Sequence, residues 1–310
     1  MKGIELSKEF FYKYGKPTFS ALGEIYDELC FGLVGSGSEC FGYDDALSQD
    51  HDFGLGFCVF VPDELTSKQV FELERTYCSL PREWAGYRRN IVCPVGGNRQ
   101  GVLKISDFLT QKIGFDSADL SLEQWFYVPE YSLAETINGE LFEDNLGLMS
   151  EIRKKLVYYP DDVRIKKLAG NLLLVNQSGQ YNYPRCAKRG ETGAAQLAVG
   201  ECVKSIMQTI FLLNKKYMPY YKWSFRTMRE LPILSHLSKD IEYLLSSPND
   251  EQSVKIKVDK IEKICDDIAR ELIEQNLSDE TGNDLERHAY AVNDNVKDHV
   301  IRTKNVLWAI

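Results

Sequence analysis

Closely spaced cysteines, long apolar runs, internal repeats and an excess of basic charge are all missing from this chain, and each absence removes a class of protein. The eight cysteines, at positions 30, 40, 58, 78, 93, 186, 202 and 265, are scattered, and no two lie within three residues of each other. That spacing suggests neither a zinc site nor a disulfide framework, so buried reduced thiols are the expected state. The most apolar helical segment, Ala194 to Leu213, carries Glu201 and Lys204, and no membrane span is expected. Glu5, Lys8, Glu9 and Lys13 interrupt the start in place of an apolar leader core, which implies a cytoplasmic protein. The formal charge of −9 argues against a protein that grips nucleic acid over a long surface, where many Lys/Arg phosphate contacts would be needed.

What is present suits an α+β protein. The chain of 310 residues is 44% hydrophobic, enough for one large or two ordinary domains, and it mixes strand-like with helix-like segments. The net charge hides an asymmetry. Between Glu151 and Glu230 there are 15 Lys/Arg against 6 Asp/Glu, a local +9 that leaves −18 for the remainder. A basic middle segment facing an acidic metal site suits a polyanionic ligand such as a nucleoside triphosphate.

The stretch from Phe31 to Pro62 organises the rest. An apolar run, Phe31 to Val34, enters the Gly/Ser-rich turn Gly35-Ser36-Gly37-Ser38, and a second run, Phe57 to Val61, follows the carboxylates of Asp50-His51-Asp52. The pattern reads as strand, turn, strand. If Asp50 to Phe53 begins the second strand, the two-residue period puts Asp50 and Asp52 on one face and His51 on the other. Paired carboxylates hold hard cations such as Mg²⁺, and a Gly/Ser turn lets backbone amides approach phosphates closely. Gly35, Ser36 and Ser38 are therefore phosphate-binding candidates, and Asp50 and Asp52 are metal ligands. An EF-hand is excluded, because Leu55 and Val61 stand where that loop needs Gly and Glu. Ser36 also suits a helix cap, and Glu39, Asp44 and Asp45 suit ordering of the loop.

Gly35-Ser36, thirteen intervening residues, then Asp50-His51-Asp52-Phe53 resembles the Gly-Ser…Asp-x-Asp pattern of the polymerase-beta-like nucleotidyltransferase superfamily, which includes antibiotic-modifying nucleotidyltransferases. The longer string through Gly42-Tyr43-Asp44-Asp45 and Ser48-Gln49, with Asn182 to Gly190 and Leu213 to Trp223, is similar to a bacterial family of two-domain nucleotidyltransferase-like proteins of undefined function. The resemblance implies a mixed sheet with helices followed by an all-α helical domain, here divided as 1–147 and 148–310. It also implies a third carboxylate from the strand after the first following helix. The segment 101–106 contains no Asp or Glu; Asp107 sits just past its end, and Glu130 and Asp144 stay open as alternatives.

Helical spacing predicts helices over Glu5 to Tyr14 and Pro17 to Leu29, parted at Lys16-Pro17, and another over Thr66 to Cys78. Strands are expected at 88–93 and 101–106, a short helix over Phe108 to Ile113, and a final strand or hairpin from Trp125 to Glu130 and Gly139 to Gly147. Helices follow over 148–158, 161–175 and about 184–217, then to the end of the chain, with Asp250 a cap. Arg185, Lys188 and Arg189 fall at the expected start of a helix, where positive charge opposes the helix dipole unless an anion offsets it. Lys188 and Arg189 are thus candidate triphosphate contacts.

The expected activity is Mg²⁺-dependent transfer of a nucleoside monophosphate from a nucleoside triphosphate to a hydroxyl of an unidentified small-molecule or protein acceptor. Asp50, Asp52 and Asp107 would carry it. The rival expectation is an inactive nucleotidyltransferase-fold module that binds a nucleotide or protein.

Overall fold

Phe10, Phe11 and Phe19 belong to the opening helical stretch of the chain, and their rings pack against the strands that follow it. The computed structural model describes residues 1–48, 54–89 and 100–310. The chain divides into two compact units, Met1–Leu120 with Val128–Val157, and Ser121–Tyr127 with Tyr158–Ile310. The architecture is α+β, with a small mixed sheet and many helices.

Among the described residues the strands all lie in the first unit: β1 (Cys30–Leu33), β2 (Cys58–Val61), β3 (Glu83–Trp84), β4 (Tyr87–Arg88), β5 (Gly101–Lys104) and β6 (Glu140–Asp144). The main sheet runs β5-β2-β1-β6. Strand β1 is antiparallel to both β2 and β6, whereas β2 and β5 are parallel; β3 and β4 form a separate small hairpin. Every residue of β1 and β2 is buried, which is why both read as continuous apolar runs. Phe31, Leu33, Val59 and Val61 share their core with Phe10, Phe11, Phe19 and Phe142. Phe60 points the other way and meets Phe108 of the helix Ile105–Ile113 edge-on, with ring centroids 5.0 Å apart. Each fully buried Phe contributes roughly 1.5–3 kcal/mol, so this aromatic core is the main support of the sheet.

Two prolines sit inside helices where the sequence predicts a break or a start. Gly3–Phe10, the π-helical turn Phe11–Gly15 and Lys16–Ser20 run on without interruption. The Lys16 N–H donates to the Phe11 carbonyl, five residues back, immediately before Pro17. The second unit repeats the device: Asp161–Val175, the π-helical turn Asn176–Asn182 and Tyr183–Lys188 are continuous, and the Tyr183 N–H donates to the Ser178 carbonyl just before Pro184. The widened turn accommodates a ring that would otherwise meet the carbonyl of the preceding turn. The expected single helix over 184–217 is instead broken at Gly190, in the left-handed region at φ 73°, before Thr192–Leu213 begins.

Residues Trp125 to Glu130 form no strand: a helical turn ends at Tyr127, Val128 and Pro129 are irregular, and the next helix starts at Glu130. Ser121 and Gln124 exchange hydrogen bonds, Ser121 N–H to Gln124 Oε1 at 2.8 Å and Gln124 N–H to Ser121 Oγ at 3.3 Å, and this box starts the turn Gln124–Tyr127. Pro129 then precedes Glu130–Ile137. The first unit extends through Val157 and so includes the helix Leu148–Lys155. The helix Leu148–Lys155 stays with the first unit because the Asp144 carboxylate, on β6, accepts from both Ser150 N–H and Ser150 Oγ at 2.7 Å.

In the second unit, Asp161–Val175 packs on Thr192–Leu213 and Leu285–Asp294. Asp250 caps Glu251–Glu274, accepting from Gln252 and Ser253 N–H, as expected. Two lysines are wholly buried here. Lys166 donates to Asn293 Oδ1, Lys304 O and Arg302 O, and Lys257 donates to Ser247 O and Asn249 Oδ1. Among the described residues every cysteine is free, and Cys30, Cys40, Cys58, Cys202 and Cys265 are buried; burial pushes the Cys202 thiol up to about 12. No helix of the described residues is long and apolar enough to cross a membrane.

Candidate functional site

The Gly/Ser turn leaves β1 at its C-terminal end. Gly35 has φ +131°, a conformation that a residue with a β-carbon rarely adopts. Its two backbone polar groups are both taken by one side chain: Asn138 Oδ1 accepts the Gly35 N–H at 2.9 Å, and Asn138 Nδ2 donates to the Gly35 carbonyl at 2.7 Å. The next residue, Gly139, donates its N–H to the Cys40 carbonyl at 2.9 Å, so both ends of the loop's first half are tied to the segment that enters β6. Arg153 donates to the Asn138 carbonyl. Burial draws the Arg153 pKa below its ordinary value, against the opposing influence of Cys30, Cys40 and Asp144.

Beyond Gly35, Ser36 is exposed and Ser38 half-buried. The short 3₁₀ turn Ser38–Phe41 is preceded by Gly37 and has no side-chain cap, so Ser36 does not cap it. The acids that follow order the loop, as the sequence suggests. Asp44 is buried, accepts the Gly3 N–H at 2.9 Å and pairs with Lys2 Nζ at 3.3 Å, pinning the loop to the first helix. Asp45 accepts from Leu47 and Ser48 N–H in a local turn. Asp50 and Asp52, with His51, lie outside the described residues.

Across from the turn stands a cation that sequence reasoning missed. Lys112 Nζ lies 3.7 Å from the point that a β-carbon on Gly35 would occupy, and it pairs with Glu135 Oε2 at 2.7 Å. Both side chains are largely covered, 17% and 12% exposed. Lys112 comes from the last turn of Ile105–Ile113 and Glu135 from Glu130–Ile137, the helix that ends directly before Asn138. Neither residue has a local pattern around it that marks it in the sequence.

The candidates for a third carboxylate separate. Asp107 is exposed on the first turn of Ile105–Ile113, after β5, and β2 lies between β5 and β1 in the sheet. Asp144 is engaged by Ser150, and Glu130 is half-buried at the start of its helix. Among the described residues no group of three or more His, Cys, Asp or Glu is placed to hold a metal ion.

Lys188 and Arg189 are exposed in the second unit, at the C-terminal end of Tyr183–Lys188. The expected conflict with a helix dipole is therefore absent: basic residues at this end favour the helix, and the dipole argument for a bound anion falls. Arg185 lies over the Tyr181 ring at 3.7 Å, a cation–π contact. Tyr217 packs against Tyr158 and Tyr159, with centroids 5.1 and 4.9 Å away.

A family model described as a domain of unknown function, DUF4037, matches residues 125–224. The matched segment includes Asn182 to Gly190 and ends before the acidic C-terminal helices; it does not include Gly35, Ser36, Asp50 or Asp52. No curated protein and no solved structure matches the chain.

Proposed function

We propose that this chain is a Mg²⁺-dependent nucleotidyltransferase of the polymerase-beta-like type, acting on a nucleoside triphosphate and a hydroxyl acceptor. The observation that carries the reading is the Gly35-Ser36 turn: it leaves a central strand of a mixed sheet, and Asn138 occupies both backbone polar groups of Gly35 while Ser36 stays exposed. The Gly35 N–H is itself engaged by Asn138, and a backbone held in this way can present the Ser36 hydroxyl and the amides beyond Gly35 to a phosphate without reorganising. Asp50 and Asp52 follow in the same connection, ahead of β2, and their hard oxygen donors suit Mg²⁺, which when bound neutralises charge on the phosphates.

In the proposed reaction the acceptor oxygen forms a bond to the α-phosphorus, the bond from that phosphorus to the β-phosphate bridge oxygen breaks, and pyrophosphate departs. The acceptor proton passes to a base. The turn holds the phosphates in line for this displacement. Lys188 and Arg189 are retained as candidate triphosphate contacts on the charge of the middle segment alone.

The test is calorimetry of each of the four ribonucleoside triphosphates with and without Mg²⁺, on the intact protein and on Asp50→Asn plus Asp52→Asn. Metal-dependent binding lost in the double variant supports the reading; no binding of any triphosphate rejects it. A second reading, a nucleotide-binding module without turnover, is favoured by one observation: β5 carries no acid, and Asp144 is engaged by Ser150. Pyrophosphate release that depends on Asp50 separates the two.

A further inference from the structure

We propose that Lys112 is the cation that receives the ligand's phosphates at the Gly35-Ser36 turn, and that Glu135 holds it in place. The inference rests on the reading of that turn as a polyphosphate site. Its own basis is the position of one ion pair. Lys112 Nζ stands over Gly35, 3.7 Å from where a side chain would begin, so the ammonium borders the turn at van der Waals distance. The Lys112 side chain is 17% exposed, so it is largely shielded from bulk water without being sealed off.

Glu135 supplies the counter-charge that a partly dry ammonium requires, at 2.7 Å. It also belongs to the segment that fixes the turn: Glu135 and Asn138 are one helical turn apart, and Asn138 is the residue bonded to Gly35. The carboxylate that orients the cation and the amide that orients the turn are thus carried by one short piece of backbone. An ammonium has three donors, and only one is engaged by Glu135, so phosphate oxygens can be bound without breaking the pair. Glu135 then has two effects. It positions Lys112, and it weakens the field that Lys112 exerts on an incoming anion.

Those two effects give the test a sign that a merely structural ion pair would not produce. Calorimetry with Mg²⁺ and the triphosphate bound best by the intact protein is run on Lys112→Met, Lys112→Arg and Glu135→Gln, with thermal melting of each. The expected result is binding about tenfold weaker in Lys112→Met and within about threefold of the intact protein in Lys112→Arg. Binding about two- to fivefold tighter is expected in Glu135→Gln, where the amide still positions the ammonium but no longer opposes the anion. If Lys112→Met binds as the intact protein does, the inference is overturned and the polyphosphate reading of the turn stands. If Lys112→Met and Glu135→Gln both weaken binding in step with a lower melting temperature, the pair is a scaffold contact, which also overturns it. If the intact protein binds no triphosphate, the reading of the turn and this inference fall together.

Discussion

Asn138 pairs with Gly35 as a strand residue would, using its side chain in place of its backbone. The β1–β6 ladder ends at Leu33 opposite Glu140, and the Asn138 amide then donates to and accepts from Gly35, 103 residues away in the chain. The ladder is in effect extended past its last strand residue by a side-chain amide, and the Gly/Ser turn inherits the rigidity of the sheet.

Replacing Asn138 with Leu removes both bonds while keeping the volume. The expected cost is about 1–3 kcal/mol of first-unit stability, since Gly35 is left with unpaired polar groups. Weaker triphosphate binding is expected alongside it. Urea denaturation and calorimetry on the same preparations check both.

Gly139→Ala acts on the same junction from the backbone. Gly139 has φ +65°, and a β-carbon there would stand 1.9 Å from the Leu33 carbonyl oxygen. The strands must move apart for it to fit, so the expected loss is about 3 kcal/mol or more, with a backbone shift at Leu33 visible by amide exchange.

Asp240 makes the second unit sensitive to acid. Its hydrogen bond to Lys260 is the main cause of a pKa below the ordinary 3.8, and Lys263 at 3.5 Å adds to it. A carboxylate with a lowered folded pKa stabilises the fold above its unfolded value; that contribution is lost as pH falls from 3.8 through the folded value. Asp240→Asn is therefore expected to show a smaller drop in melting temperature between about pH 5 and about pH 3 than the intact protein does.

Lys166 gives a dependence at the other end of the scale. Its acceptors are Asn293 Oδ1 at 2.7 Å, Lys304 O at 2.7 Å and Arg302 O at 3.3 Å, all uncharged, and burial lowers its pKa from 10.5. Between the lowered folded value and 10.5 the unfolded chain binds more protons than the folded one, so stability rises with pH across that window as the burial cost of the charge is relieved. Lys166→Met is expected to cost about 2–3 kcal/mol near neutral pH by leaving those acceptors unpaired. The gap between the two proteins should widen as pH is raised toward 10.5. Denaturant melts across that range measure it.

The strands around the turn were legible in the sequence because burial on both faces leaves continuous apolar runs at Phe31 to Val34 and Phe57 to Val61. Most helices were legible from their spacing, and Asp250 from its position as a cap. Pro17 and Pro184 misled for a physical reason. A π-helical turn adds a residue and rotates the following face, so the apolar phase changes where the helix does not end. Asn138, Lys112 and Glu135 could not be read, since each acquires its meaning from a partner that only the folded sheet brings near. The dipole argument for Lys188 and Arg189 failed at a boundary: the helix ends where it was expected to start.

The seven-residue stretch 121–127 has a practical consequence for anyone dissecting the chain. Trp125 lies edge-on to Tyr159, Phe126 lies 4.7 Å from Trp308, and Lys304 pairs with Glu123, so the stretch folds with residues far downstream although both its neighbours in sequence belong to the first unit. No single cut yields two whole pieces. A gene ended after 157 would carry two stranded aromatics into solvent, and one begun at 158 would leave the hollow they fill open, so both fragments invite aggregation. A free-standing first unit calls for excision, with 120 rejoined to 128 by a short linker, and the second unit calls for the excised heptapeptide to be grafted back ahead of Tyr158.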